Sequence, residues 1–280
     1  MVNVLYCGND GVFDGVLTSA LSILKRSSLD EPFTFFIFTM DLSDLDPKYK
    51  PIPPRMIEFL EKTVRSYSPD SRVVCVDVTD YYKREFDSCP NEDAYCSPYT
   101  LIRLFADSVP GIPDKLLYLD IDVLFNRDVH LLYDVDVQNV EYAAARDHYG
   151  KYLIYPNYIN AGVLLFNMKR ARETGLFKKA RDLIRTKKLV FADQSALIRS
   201  TTKKKVLPQR FNDQKFLHSH TVVRHFSKRL FYFPYPHTEN VKQWMTDKVH
   251  KKFRYTEFDD ILNEYLALKE EYQREEPSHL

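Results

Sequence analysis

The chain has 280 residues, enough for one large α/β domain with a sizeable core. Hydrophobic residues make up 44% and charged residues 28%, an ordinary globular balance that excludes a disordered or fibrous chain. Lys plus Arg number 40 against 39 Asp plus Glu, and the net charge of +1 gives no global pull toward nucleic acid.

Val2 to Cys7 is a short apolar run ending in Gly8-Asn9-Asp10-Gly11, which reads as a strand and a turn. Val12, Val16, Ala20, Ile23 and Leu24 recur at near-helical spacing and predict a helix over 12–26. Phe33 to Met40 reads as a strand, 55–66 as a helix and Arg72 to Val78 as a strand. Strands that alternate with helices and are apolar throughout predict a buried, mostly parallel sheet. Tyr99 to Val109 is expected to be a helix, and Leu116 to Leu119 a strand ending in Asp120-Ile121-Asp122. Further strands are expected at Glu141–Ala145 and Ile159–Asn167, and helices at Leu176–Lys187 and Asp193–Arg199. Beyond Lys205 the pattern weakens to strand-like pieces at Val222–Phe226 and Phe231–Phe233 and a helix over 257–274.

Seven glycines, with neither G-x-x-x-x-G-K-[ST] nor G-x-G-x-x-G, argue against a Gly-rich phosphate loop. Cys7, Cys75, Cys89 and Cys96 show no C-x-x-C spacing, and Cys7 and Cys75 sit in apolar runs like buried free thiols. The chain starts without a signal peptide's basic region and cleavage site. These features predict a reducing, cytoplasmic setting without disulfides or zinc.

The strongest chemical signal is LYLDIDVL, from Leu117 to Leu124. Strand alternation would place the Asp120 and Asp122 carboxylates on one side, with Ile121 packed behind. Two carboxylates at the end of a buried strand are costly without a cation, and hard oxygen ligands suit Mg²⁺ or Mn²⁺. A solvated turn is the plain alternative, since D-x-D is common. Tyr158 to Asn167 goes from a polar edge to a buried strand; Asn160 could bond a hydroxyl-rich ligand and Gly162 could permit close backbone approach. Asp193 in Phe191-Ala192-Asp193-Gln194 reads by itself as a helix N-cap, and His225 in VVRHF as a packed core histidine.

Taken together, these segments resemble glycosyltransferase family 8, the retaining enzymes that include bacterial lipopolysaccharide galactosyl- and glucosyltransferases and glycogenin. The resemblance runs from Val2 to about Trp244 and rests on order and spacing: Arg103 lies 17 residues before Asp120, then INAGVLLFN, ADQ and a late His follow. It implies a GT-A fold, a Rossmann-like α/β domain over 1–240 with a basic and aromatic helical extension over 241–280. It implies that Mn²⁺ or Mg²⁺ on Asp120, Asp122 and His225 bridges the diphosphate of a UDP-sugar. It places Cys7, Asn9 and Gly11 at the uridine nucleotide, and Arg103, Asn160, Ala161, Asp193 and Gln194 at the donor sugar, with Ile121 beside the metal. Asn9 stands where many members carry Asp. The usual H-x-x-G-x-x-K-P-W ending is replaced, so Lys228, Arg229 and Lys242 all remain candidates for the cation facing the diphosphate; Lys228 follows the His most closely.

The implied reaction is retaining transfer of a hexose, glucose or galactose, to a hydroxyl of a glycan, glycolipid or glycoprotein. Retention by double displacement needs a carboxylate on the far face of the sugar. The family offers Gln194 there, which favours same-face attack guided by the leaving phosphate, with Gln194, Asp193 and Arg103 as the catalytic set. Two rivals are a non-catalytic nucleotide-sugar binder and a haloacid-dehalogenase-like phosphatase, whose D-x-D sits nearer the chain start. Lys242, Lys248, Lys251, Lys252 and Arg254 near Trp244, Phe253, Tyr255 and Phe258 could rest on anionic lipid at the inner face of a membrane. The competing expectation there is a solvated helix with its aromatics packed inward.

Overall fold

The first strand, β1 (Val2–Cys7), pairs in parallel with β2 (Phe33–Thr39), and β2 with β3 (Arg72–Asp77). Helices α1 (Phe13–Arg26) and α2 (Pro54–Tyr67) form the crossovers, and α3 (Thr79–Phe86) follows β3. The computed structural model describes residues 1–91, 97–231 and 235–275.

Then come β4 (Lys115–Leu119), β5 (Val123–Phe125), α4 (His130–Tyr133), β6 (Tyr142–Ala145), α5 (Gly150–Leu153) and β7 (Val163–Asn167). They are followed by α6 (Met168–Thr174), α7 (Leu176–Thr186), α8 (Ala192–Ser200), β8 (Lys204–Leu207) and β9 (Val223–His225). A hairpin of β10 (Arg229–Phe231) and β11 (His237–Glu239), a short α9 (Thr246–Lys248) and α10 (Asp259–Arg274) complete the described chain. The main sheet has seven strands in the order β3-β2-β1-β4-β7-β6-β8. It is parallel except at β7, which runs antiparallel to both β4 and β6. Alternation along β1 divides the core: Val4 and Tyr6 pack on the α1, α2 and α10 side, Leu5 and Cys7 on the α7 and α8 side.

Three expectations change. The Tyr99–Val109 helix is instead two 3₁₀ turns, Pro98–Thr100 and Ile102–Phe105. Side chains take the carbonyls that an α-helix would use: Arg103 Nε donates to Thr100 O at 2.9 Å and Arg181 Nη1 to Leu104 O at 2.5 Å. Cys75 is exposed, because β3 is the sheet edge and its residues alternate outward. The strand expected over Ile159–Asn167 begins only at Val163, since Asn160 to Gly162 form a polar turn. Of the Phe231–Phe233 piece, Phe231 ends β10, and Tyr232 and Phe233 lie outside the described residues, as does Cys96.

The C-terminal aromatics turn inward. Phe258 is fully buried, and Phe253 stacks on Tyr255 at 5.4 Å with Phe226 and the buried Arg224 beside them. Lys248, Lys251, Lys252 and Arg254 stay at the surface, while Trp244, Phe253 and Tyr255 are half-buried. Helix α10 lies along α1, held by Arg26 to Asp260 at 2.6 and 2.8 Å and by Lys25 to Glu264 at 2.6 Å. Those ion pairs are partly screened by solvent and add little. Burial of Ile261, Leu262 and Tyr265 in the core shared with β1 and α1 contributes more. Ile261→Ala is therefore expected to cost about 2–5 kcal/mol in urea unfolding. A cost below about 1 kcal/mol would mean that α10 is a dispensable appendage.

Candidate functional site

A cleft of about 630 Å³ opens at the carboxyl ends of β1 and β4, where open α/β sheets bind ligands. Its wall on the β1 side is Cys7, Gly8, Asn9 and Val12, and the 3₁₀ segment adds Ser97, Tyr99 and Thr100. Asp120, Ile121, Asp122 and Asn160 line the base, and His225, Ser227, Lys228, Asn240 and Lys242 close the other side.

Two strand pairings assemble the base. Because β7 runs antiparallel to β4 with Leu119 opposite Val163, the Asn160–Gly162 turn arrives beside Asp120, whose N–H donates to Gly162 O at 2.7 Å. The β5–β9 pair sets Val123 opposite His225, and Phe226 N–H donates to Asp122 O at 2.7 Å. Asp120, Ile121 and Asp122 form a turn after β4 rather than its last residues, yet both carboxylates converge. His225 Nε2 lies 3.1 Å from Asp122 Oδ1 and 3.8 Å from Asp120 Oδ2, and one ligand atom from each of the three residues falls within 4.8 Å of the others.

Asn212, which the sequence reading passed over, fixes the histidine. Its Nδ2 donates to Asn160 Oδ1 at 2.9 Å, so its Oδ1 accepts from His225 Nδ1–H at 3.0 Å. That bond turns Nε2 toward the carboxylates: with a proton it pairs with Asp122, and without one its lone pair faces other acceptors, an arrangement that calls for a cation between them. A side chain at Gly162 would lie 2.3 Å from His225 Cε1 and 2.7 Å from Asp120 Oδ2, so only glycine leaves the cradle open. Two carboxylates and an imidazole in this arrangement suit a divalent ion of the Mg²⁺ or Mn²⁺ type.

Cations surround the carboxylates. Burial pushes Asp122 up, but Lys242, bonded to Asp122 Oδ2, and His225 outweigh it and hold the carboxyl well below the usual range. Arg103, 2% exposed, is a buried clamp. It reaches Asp120 Oδ1 at 3.0 Å, Asp193 Oδ2 at 3.3 Å and Ala161 O at 2.6 Å, and lies 3.8 Å from the Tyr118 ring centre. Burial raises Asp193, and Arg103 offsets part of the rise. Burial likewise pushes the Cys7 thiol up, which makes it a wall and not a nucleophile.

The candidate residues occupy two layers. Cys7, Asn9, Asp120, Ile121, Asp122, Asn160, His225 and Lys228 line the cleft. Arg103 and Asp193 are buried beside Asp120, while Gln194 Oε1 accepts from Ala161 N–H at 2.9 Å. Gly11 is exposed in the loop, and Asn9 Nδ2 is engaged by Lys48 O at 2.9 Å. Among the three cation candidates, Lys228 and Lys242 line the cleft; Arg229 leads β10 and lies over the Phe231 ring. Tyr118, Asn212 and Asn240 also join the site: Tyr118 O–H donates to Asp120 Oδ1 at 2.7 Å, Asn212 depends on partners distant in the chain, and Asn240 lines the cleft.

The model of glycosyl transferase family 8 matches residues 3–229. Glycosyltransferase GlyA of Streptococcus pneumoniae is 30% identical over 198 residues, 69% of this chain and 25% of its own. A glycosyltransferase-named protein of Haemophilus influenzae is 30% identical over 106 residues, 34% of this chain and 32% of its own. The matched stretch thus spans about a third or less of either relative. The solved structure of galactosyltransferase LgtC in complex with donor and acceptor sugar analogues superposes with a TM-score of 0.66 at 18% identity. That match covers 94% of this chain and 96% of LgtC, and it shows the GT-A fold.

Asn212→Ala releases His225 from its tautomer while leaving all three candidate ligands in place. Calorimetry is expected to show affinity for Mn²⁺ falling about ten- to a hundredfold. Thermal melting without metal separates this from unfolding. Unchanged affinity in a folded variant would mean that Asn212 only fills space.

Proposed function

Because the chain belongs to glycosyltransferase family 8, we propose that it moves a hexose, glucose or galactose, from a UDP-sugar to a hydroxyl of a glycan, glycolipid or glycoprotein, with retention at the anomeric carbon. One observation carries the reading: Asp120, Asp122 and His225 converge within 4.8 Å at the base of a cleft whose far wall is the loop after β1. The nucleotide would lie against Cys7, Asn9 and Val12, and its diphosphate over the three ligands. Mn²⁺ or Mg²⁺ held there supplies fixed positive charge where the departing diphosphate gains negative charge.

The chain's own groups do the remainder. Lys242 and Lys228 add positive charge on the phosphate side of the cleft. Asn160 presents its amide to the donor sugar, in an orientation set by Asp147, Asn212 and Gly162 N–H. Arg103 acts as a positioning residue, because burial and its bonds to Asp120, Asp193 and Ala161 O direct it at the protein. Gln194, held by Ala161 N–H, is neutral and a poor nucleophile. Asp193 is a carboxylate, but its ion pair with Arg103 and its burial tie it into the support. That arrangement favours same-face attack guided by the leaving phosphate over double displacement.

UDP release from a panel of UDP-sugars with Mn²⁺ tests the assignment. Asp122→Asn is expected to lower turnover at least about a hundredfold, as loss of a charge-stabilising group does, and to remove metal-dependent UDP binding in calorimetry. Equal UDP binding in the variant would sink the metal assignment. Thermal shifts with Mn²⁺ should favour UDP over GDP and ADP, and a clear purine preference would overturn the uridine assignment. Proton NMR of the product reads the anomeric outcome, and inversion would exclude same-face attack.

A further inference from the structure

Helix α5 and the residue that caps it present consecutive apolar side chains to solvent: Tyr152 is 76% exposed, Leu153 81% and Ile154 50%. Loose packing does not explain the exposure, because the inner side of the helix is fixed. Gly150 packs flat on Tyr158, where a Cβ would lie 2.3 Å from the ring, and Asp147 Oδ1 accepts from Gly150 N–H at 2.7 Å. Beside α5, His148 lies 6.4 Å from the ring of Phe216, itself 46% exposed. Lys151 and Lys215 lie near His148 and each reaches over a neighbouring ring, Tyr152 and Phe216 respectively, while the nearby carboxylates face inward: Asp213 is buried and Asp147 is taken up by Gly150 N–H and Asn160. The surface is therefore apolar side chains flanked by two lysines.

We propose that this patch seats the chain on an anionic lipid surface. Apolar side chains that enter the headgroup layer, with cations at their edge, are how a peripheral protein gains affinity for such a bilayer. Contact is peripheral, since no helix among the described residues is long and apolar enough to cross a membrane. The second oxygen of Asp147 accepts from Asn160 Nδ2 at 3.0 Å, and Asn160 lines the cleft. The lipid surface therefore lies one hydrogen-bonded residue from the candidate sugar site, so an acceptor carried on a lipid headgroup would meet the cleft where the chain docks. That last consequence rests on the transferase reading; the docking does not.

Co-sedimentation with phosphatidylcholine vesicles, with and without phosphatidylglycerol, tests it on the full chain. Binding is expected to the anionic vesicles, to weaken as salt screens the lysines, and to fall at least about tenfold in Leu153→Ser/Ile154→Ser. Lys151→Ala/Lys215→Ala should lose the preference for anionic lipid. These side chains lie at the surface, so circular dichroism and UDP release to water should match the unaltered chain, which keeps this outcome separate from that of the transferase reading. Absence of binding to either vesicle at low salt overturns the proposal. So does a dimer in sedimentation velocity that the Leu153→Ser/Ile154→Ser variant disperses while vesicle binding persists unchanged, which would assign the patch to a second copy.

Discussion

The guanidinium of Arg103 is the charge on which the centre of the molecule depends. Asp120 and Asp193 both reach Arg103 at the end of the central strands, and the buried Asp193 has too little water to carry its charge alone. Arg103 lies between them and flat over Tyr118, and donates to Ala161 O. Burial works against its own charge, but Tyr118, Asp193 and Asp120 outweigh that and keep it ionised. Removing Arg103 would leave Asp193 as an unpaired buried charge, which costs far more than the net value of the pair. The same need explains why the surrounding chain is not helical: Arg103 Nε takes the Thr100 carbonyl, and 3₁₀ turns keep the guanidinium aimed at β4.

From that fixed point the cleft is built by backbone register more than by loops. The antiparallel entry of β7 brings the Asn160–Gly162 turn to Asp120, and the β5–β9 pair brings His225 to Asp122. Side-chain amides then lock the two arrivals together through Asn212, fully buried between Asn160 and His225. Candidate ligand atoms held by strand register and a side-chain amide network are pre-organised.

The segment after β11 completes the site from behind. Gln243 is fully buried and donates to Ile121 O at 2.7 Å and to Thr18 Oγ1 at 3.0 Å. A Cβ at Gly15 would lie 2.7 Å from both Ile121 O and the Trp244 ring, so α1, the D-x-D turn and this segment meet almost without a gap. Lys242 is thereby delivered to Asp122, and the core that holds it continues into α10.

Much of this could be read from the residues alone. Apolar runs fixed the strands β1, β2 and β4, since a strand buried on both faces needs no polar alternation. The D-x-D that follows β4 marked a candidate cation site, and the structure brings both carboxylates together with His225. His225 was legible only through the spacing of its family, as a lone histidine in an apolar run carries no ligand signal of its own. The tertiary structure alone decided which lysines face the cleft, that Arg103 supports the ligands from within the protein, that Cys75 lies on an outer edge, and that Asn212 sets the histidine tautomer. Each of these depends on strand register between segments far apart in sequence, such as Val123 opposite His225. Local periodicity records which side chains are buried; it does not record which of them meet.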